Sequence, residues 1–204
     1  RRPTVWALWG EGQAINAGDA LAALARLAVL GLRDAGVPAE AVIEAVRILD
    51  ERTLEMVEGQ VMDLSFEDSL DVGLDDYLEM IEKKTGALFD CSLRLGALVA
   101  GADARVAEAM GRCGRLLGVA FQARDDMLGV WGAGSRTGKA VGADIRRRKK
   151  SLPVVYALST VEDPALRRAY EKREPGEEDV AASLRVLDAS GARAYCERLA
   201  RERL

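Results

Sequence analysis

The stretch ARVAEAMGRCGRLLGVAFQARDDMLGV, residues 104–130, decides the fold. Ala107, Met110, Gly114, Leu117 and Phe121 recur at steps of three and four, the period of an amphipathic helix, and the same stripe then reaches Asp125. Gln122 stands beside it, three residues before Asp125 and four before Asp126. Carboxylates at the end of an inward stripe are costly to bury without partners, so this helix either meets solvent there or borders a polar cavity.

Two upstream segments repeat the anomaly. The segment after Gly36-Val37-Pro38 carries Val42, Val46, Leu49, Thr53 and Met56 inward and closes the stripe with Gln60 and Asp63. The next, opened by Asp75-Asp76, carries Tyr77, Ile81, Leu88, Cys91, Leu95 and Leu98, interrupted by Lys84 with Thr85 beside it. Polar groups of mixed sign on three inward faces predict one shared polar cavity. The 204 residues show no compositional break, are only 5% aromatic and are rich in Ala, Leu, Val, Arg and Glu. The expectation is one all-α domain over residues 1–204, a helical bundle around a central cavity.

The chain has no histidine, which removes the usual general base and the usual zinc ligand. Any metal must then sit on oxygen, and a hard cation such as Mg²⁺, which arrives with phosphates, suits that donor set. Asp125 and Asp126 offer two such donors, with Gln122 a turn earlier. Lys139 on the glycine loop 132–139, Lys149 in the basic run Arg146-Arg147-Arg148-Lys149-Lys150, and Lys84 supply the positive charge that a diphosphate needs. A net charge of −4 and the lack of aromatic residues flanking the basic run argue against nucleic acid. Three scattered cysteines, Cys91, Cys113 and Cys196, read as small buried residues. No apolar run approaches the ~18 residues of a membrane span, and no signal-peptide core opens the chain, so the expectation is a cytoplasmic protein. Ser151-Leu152-Pro153 marks a helix start, and three or so short scaffold helices follow.

These residues carry a family resemblance. FQARDDMLGVWG, followed by RTGKAVGADIRRRKKSLPVVYAL, resembles the second aspartate-rich region of trans-isoprenyl diphosphate synthases, the polyprenyl synthetase family of bacterial farnesyl and geranylgeranyl diphosphate synthases. EKKTGALF is similar to that family's lysine-threonine motif and EGQVMDLSFE to its glycine-glutamine helix. RRPTVWALWG and AINAGDAL are similar to the segment after its first aspartate-rich motif. The resemblance implies an isoprenoid synthase-type fold, Mg²⁺ as cofactor, isopentenyl diphosphate and an allylic diphosphate as substrates, a C15 to C20 product and a homodimer. It implies that Lys84, Thr85, Gln122 and Lys139 hold the allylic diphosphate, that Asp125, Asp126 and Asp144 serve the metal, and that Lys149 adds charge behind them. It further implies that Gln60 and Asp63 line the cavity and that Arg1 or Arg2 serves the diphosphates.

Two departures stand out. Gly129 and Ala133 replace aspartates common in the family, and an aspartate at 129 is expected to be tolerated. The first aspartate-rich motif belongs just before residue 1. The expectation is therefore a longer natural chain, with a noncatalytic partner subunit or a synthase-like terpene cyclase as alternatives.

Overall fold

The computed structural model describes residues 2–67, 69–132 and 141–204. Helices α1 (Val5–Trp9), α2 (Glu11–Leu30), α3 (Ala39–Phe66), α4 (Leu74–Ile81), α5 (Ala87–Val99) and α6 (Ala104–Trp131) form the first part of the chain. The short α7 (Ala143–Arg146) leads into α8 (Leu152–Thr160), α9 (Pro164–Glu171), α10 (Glu177–Ala189) and α11 (Ala192–Glu202). The described residues form no β-strand, so the all-α expectation holds. The Asp103 side chain accepts the Val106 N–H at 2.9 Å and caps α6, and Pro153 near the start of α8 needs no helical N–H there.

The face that α6 buries is not the one its large residues predicted. Met110, Leu117, Phe121 and Asp125 are exposed, whereas Ala107, Gly111, Gly114, Gly118, Ala123 and Asp126 are buried. The reason is close backbone approach. A Cβ on Gly114 would stand 2.4 Å from the Phe89 carbonyl oxygen, and one on Gly118 would stand 2.8 Å from Gly86 Cα. The glycines are the contact surface with α5, and the larger side chains turn outward from it.

α4 and α5 form one rod joined by a π-helical turn, Glu82–Gly86. That wider turn inserts a residue and advances the buried face by one position. Leu88, expected inward, is therefore exposed, and Ala87 and Asp90 are buried beside the expected Cys91. The buried Asp90 is matched by charge: Arg115 of α6 donates to it at 2.9 Å and also holds Glu55 of α3. This ion cluster ties α3, α5 and α6 together. Burial opposes the charge on Glu55, but Arg115 and Arg52 outweigh it and hold its pKa below the usual value.

The core occupies the C-terminal side of the bundle. Tyr77, Ile81, Val119, Ala123, Leu152 and Cys196 form one cluster, and Val130, Ile145, Val154, Leu166, Tyr170 and Leu187 a second. Cys91 and Cys196 are buried as expected, with burial pushing the Cys196 thiol up to about 12, but Cys113 is exposed.

No residue of α2 is buried, and the helix over Glu11–Arg33 has a mean hydropathy of 1.5 in its most apolar window. It is long and apolar enough to cross a membrane by length and composition, which corrects the expectation that no apolar stretch approaches that length; Asp19 and Arg26 interrupt the stretch in the sequence. Arg26 pairs instead with Asp50 of α3 at 2.7 Å.

Gly114→Val should destabilise the fold by roughly 1–3 kcal/mol, because the added side chain must push α5 away from α6. Thermal denaturation measures this, and an unchanged melting temperature would contradict the close-packed glycine contact.

Candidate functional site

The end of α3, the π turn, the last third of α6 and the turn after α7 meet on one side of the core. Gly59 sets the distance between the first two. A Cβ there would lie 2.4 Å from the Lys84 backbone nitrogen, so only glycine lets α3 seat against the π turn. With that approach made, Lys84 Nζ donates to Asp63 Oδ2 at 2.5 Å. The wide turn also lets consecutive residues share a cavity, since Lys84 and Thr85 both line it, together with Asp63, Tyr77, Met80, Ile81, Gln122 and Lys149. This cavity holds only about 30 Å³, because its polar side chains close on one another.

The contacts form a chain. Thr85 Oγ1 donates to Gln122 Oε1 at 2.9 Å, and Gln122 Nε2 donates to Asp126 Oδ1 at 3.1 Å. Lys149 Nζ reaches the same Asp126 oxygen at 2.9 Å and lies 3.9 Å from Asp144. The other oxygen, Oδ2, accepts from Tyr77 Oη at 2.5 Å and from the Leu152 backbone N–H at 3.0 Å. Asp126 is 0% exposed.

The electrostatics follow from these pairs. Burial opposes the charge on Lys149, but Asp126, Asp144 and Asp125 outweigh that penalty and raise its pKa above the ordinary lysine value. Tyr77 is pushed well above the ordinary phenol range, first by burial and then by the Asp126 carboxylate. It is therefore a permanent donor at neutral pH.

Lys84, Thr85, Gln122, Lys149 and Asp144 thus lie in one connected set of contacts, with Asp63 joined to them through Lys84. Gln60 is half-buried one turn before Asp63, Asp125 is exposed, and Arg2 is exposed. Arg1 and Lys139 lie outside the described residues. Asp126 was expected to serve a metal, yet both of its oxygens are taken by the donors named above, so the geometry favours a positioning role. Tyr77 was read only as part of an apolar stripe. Its signal was the phenol oxygen, which needs a partner once buried.

A metal fits this donor set in part. Among the described residues no group of three or more Cys, Asp or Glu is arranged to hold an ion. Asp125 and Asp144 are two further hard oxygen donors around Lys149, and Mg²⁺ is commonly held by one or two carboxylates with phosphate oxygens and water completing the shell.

Gly129 has a structural reason. A Cβ at that position would stand 1.9 Å from Asp144 Oδ2 and 2.4 Å from its Cγ. The Asp144 carboxylate fills the space, so the expectation that aspartate is tolerated at 129 is corrected: a side chain there must displace Asp144.

The chain is an all-α bundle that gathers lysines, amide and hydroxyl donors and carboxylates on one inner face. The polyprenyl synthetase family model matches residues 1–187, and the chain belongs to that family. A (2E,6E)-farnesyl diphosphate synthase of Mycobacterium tuberculosis (strain ATCC 25618 / H37Rv) is 41% identical, over 98% of this chain and 56% of its own length. The crystal structure of polyprenyl synthetase from Streptomyces coelicolor A3(2) matches with a TM-score of 0.91 and 37% identity, covering 99% of this chain and 61% of its own. That of geranylgeranyl pyrophosphate synthase from Corynebacterium glutamicum, complexed with isoprenyl diphosphate and magnesium, matches with a TM-score of 0.81 and 30% identity, covering 96% and 56%. The chain therefore spans a little over half the length of these relatives.

Asp126→Ala should cost about 3–5 kcal/mol, since it leaves the Lys149 ammonium and the Tyr77 hydroxyl without their buried partner. Gly129→Asp should lower stability by roughly 1–3 kcal/mol through the clash with Asp144. Denaturant unfolding reads both, and a neutral Asp126→Ala would show that the network is not what holds these segments.

Proposed function

We propose that the protein carrying this chain is a Mg²⁺-dependent trans-prenyltransferase. It condenses isopentenyl diphosphate with an allylic diphosphate to give a prenyl diphosphate of C15 to C20 length. The observation that carries this reading is the convergence of Lys84, Thr85, Gln122 and Lys149 beside Asp125 and Asp144. The family membership and the farnesyl and geranylgeranyl synthases among the relatives support the product range.

The chemistry follows from charge. Ionising the allylic C–O bond leaves both electrons with the diphosphate and a carbocation on carbon, so the barrier is charge separation. When bound, Mg²⁺ supplies Lewis-acid charge to the departing diphosphate, and Asp125 and Asp144 are the described residues that would hold it. Lys84 and Lys149 contribute two fixed cations, and the Thr85 hydroxyl and Gln122 amide supply neutral donors that orient the phosphate oxygens. In the closed network Lys84 is bound to Asp63, and an arriving polyanion competes with that carboxylate for it. Met80 and Ile81 line the same cavity and exclude water from the cation. The isopentenyl alkene then forms the new C–C bond, and loss of a proton restores neutrality.

The protein is inferred to be a cytoplasmic homodimer. Leu21, Leu24 and Leu27 of α2, with Ile43, Leu54 and Val61 of α3, are exposed apolar residues that a second copy would cover. Asp19 and Arg26 within α2 make a bilayer the poorer cover, at about 2.5–3.5 kcal/mol per charge near the membrane centre. Light scattering on the full-length protein should give twice the monomer mass, and a monomer at micromolar concentration would exclude this interface.

Asp125→Ala should reduce turnover by at least about a hundredfold in steady-state assays with isopentenyl and allylic diphosphates. The fold should be unaffected, because Asp125 is exposed. A fully active variant would remove Asp125 from the metal site.

A further inference from the structure

The cations of the basic run have different partners. Arg146 donates to Glu177 at 2.7 Å, Lys149 meets Asp126, and Lys150 Nζ donates to the Glu67 carbonyl. Arg147 and Arg148 meet no carboxylate and no acceptor among the described residues, and the Nε of Arg148 is buried without a hydrogen-bond partner. A buried guanidinium donor left unpaired is uncommon and asks for an acceptor that the chain does not supply.

The backbone at Arg148 points the same way. Among the described residues it is the only non-glycine with a left-handed φ, +56°. The Lys149 N–H bonds to the Asp144 carbonyl at 2.9 Å and the Arg148 N–H to the Ile145 carbonyl at 2.8 Å, which closes α7 in a Schellman motif. Arg148 occupies the position where that motif favours glycine. A long cationic side chain is thus held at a place where the backbone alone prefers none, and the side chain must return something for the strain.

Both arginines line a cavity of about 480 Å³ between this turn and the end of α3, closed on the other side by Phe66 and Glu67. It adjoins the candidate substrate site, since Asp63 and Lys149 line both spaces. The Asp63 carboxylate is engaged by Lys84 and forms no ion pair with either arginine, and Lys149 is turned to Asp126.

We propose that this cavity is a second anion site, taking a diphosphate group held by the guanidinium groups of Arg147 and Arg148. The planar forks of two arginines match the oxygens of adjacent phosphates, and a charge-assisted bond supplies the acceptor that Arg148 Nε lacks. Such a site would catch a diphosphate on its way into or out of the cluster around Lys84. Only the natural source of the anion rests on the function proposed above, and the binding itself does not.

The test is isothermal titration of inorganic diphosphate into the full-length protein in the presence of a chelator, compared with Lys84→Gln, Arg147→Gln and Arg148→Gly. Lys84→Gln should retain the site. Arg147→Gln and Arg148→Gly should each weaken it at least tenfold, while the melting temperature of Arg148→Gly stays equal or rises because glycine relieves the left-handed strain. Native affinity in the Arg147→Gln, Arg148→Gly double variant would overturn the proposal and leave water as the partner of Arg148 Nε. Loss of all binding in Lys84→Gln alone would overturn it too, by assigning the anion to the first cluster. Geranyl diphosphate titrated in the same way separates the sources: tighter binding than inorganic diphosphate supports a prenyl-bearing ligand at this site, and equal or weaker binding supports the free anion. Neither result depends on turnover, so failure of the proposed enzyme activity would be seen separately.

Discussion

A carboxylate removed from water must find donors for both of its oxygens, and much of this molecule is arranged around meeting that demand at Asp126. Its donors come from α4 through Tyr77, from its own helix through Gln122, from the turn after α7 through Lys149, and from the first turn of α8 through the Leu152 backbone. Segments far apart in sequence are thereby brought to one point. Omitting any one donor would leave a buried acceptor underused and its own segment less firmly placed.

The same constraint organises the candidate site. Lys149 is poised between Asp126 and Asp144, and Gln122 is fixed by bonding at both ends of its amide. Lys84 and Lys149 are each held by a carboxylate in the closed network, so an incoming polyanion meets cations that are already oriented. Asp126 stands behind these groups and gives them their direction. Asp125 is exposed on the other side of α6, and the buried Asp144 lies within ion-pair distance of Lys149.

Glycine governs how close the scaffold brings these groups. Gly59 admits the π turn that carries Lys84 and Thr85, Gly114 and Gly118 admit the rod of α5, and Gly129 yields its space to the Asp144 carboxylate. Each approach trades a side chain for proximity of backbones, and the polar site exists because the helices bearing it can come that near. At Arg148 the trade runs the other way, with a charged side chain kept where the turn prefers glycine.

The sequence by itself determined the all-helical architecture, because three stripes of period 3.6 and a composition poor in aromatic residues leave little else. It also singled out Lys84, Thr85, Gln122 and Asp63 as polar groups on or beside apolar stripes, and Lys149 and Asp144 through the motifs around them, because stripes and motifs are local features. Only the tertiary structure decided which face of α6 is buried, because small residues are weak hydrophobic signals yet permit the closest contacts. It alone separated Asp125 from Asp126, which are equal neighbours in sequence but stand on different sides of a helix, one in solvent and one among donors. Tyr77 as a partner of Asp126, the outward turn of Leu88 after the π turn, and the occupied space above Gly129 were likewise invisible, because each depends on distances between segments that no periodicity encodes.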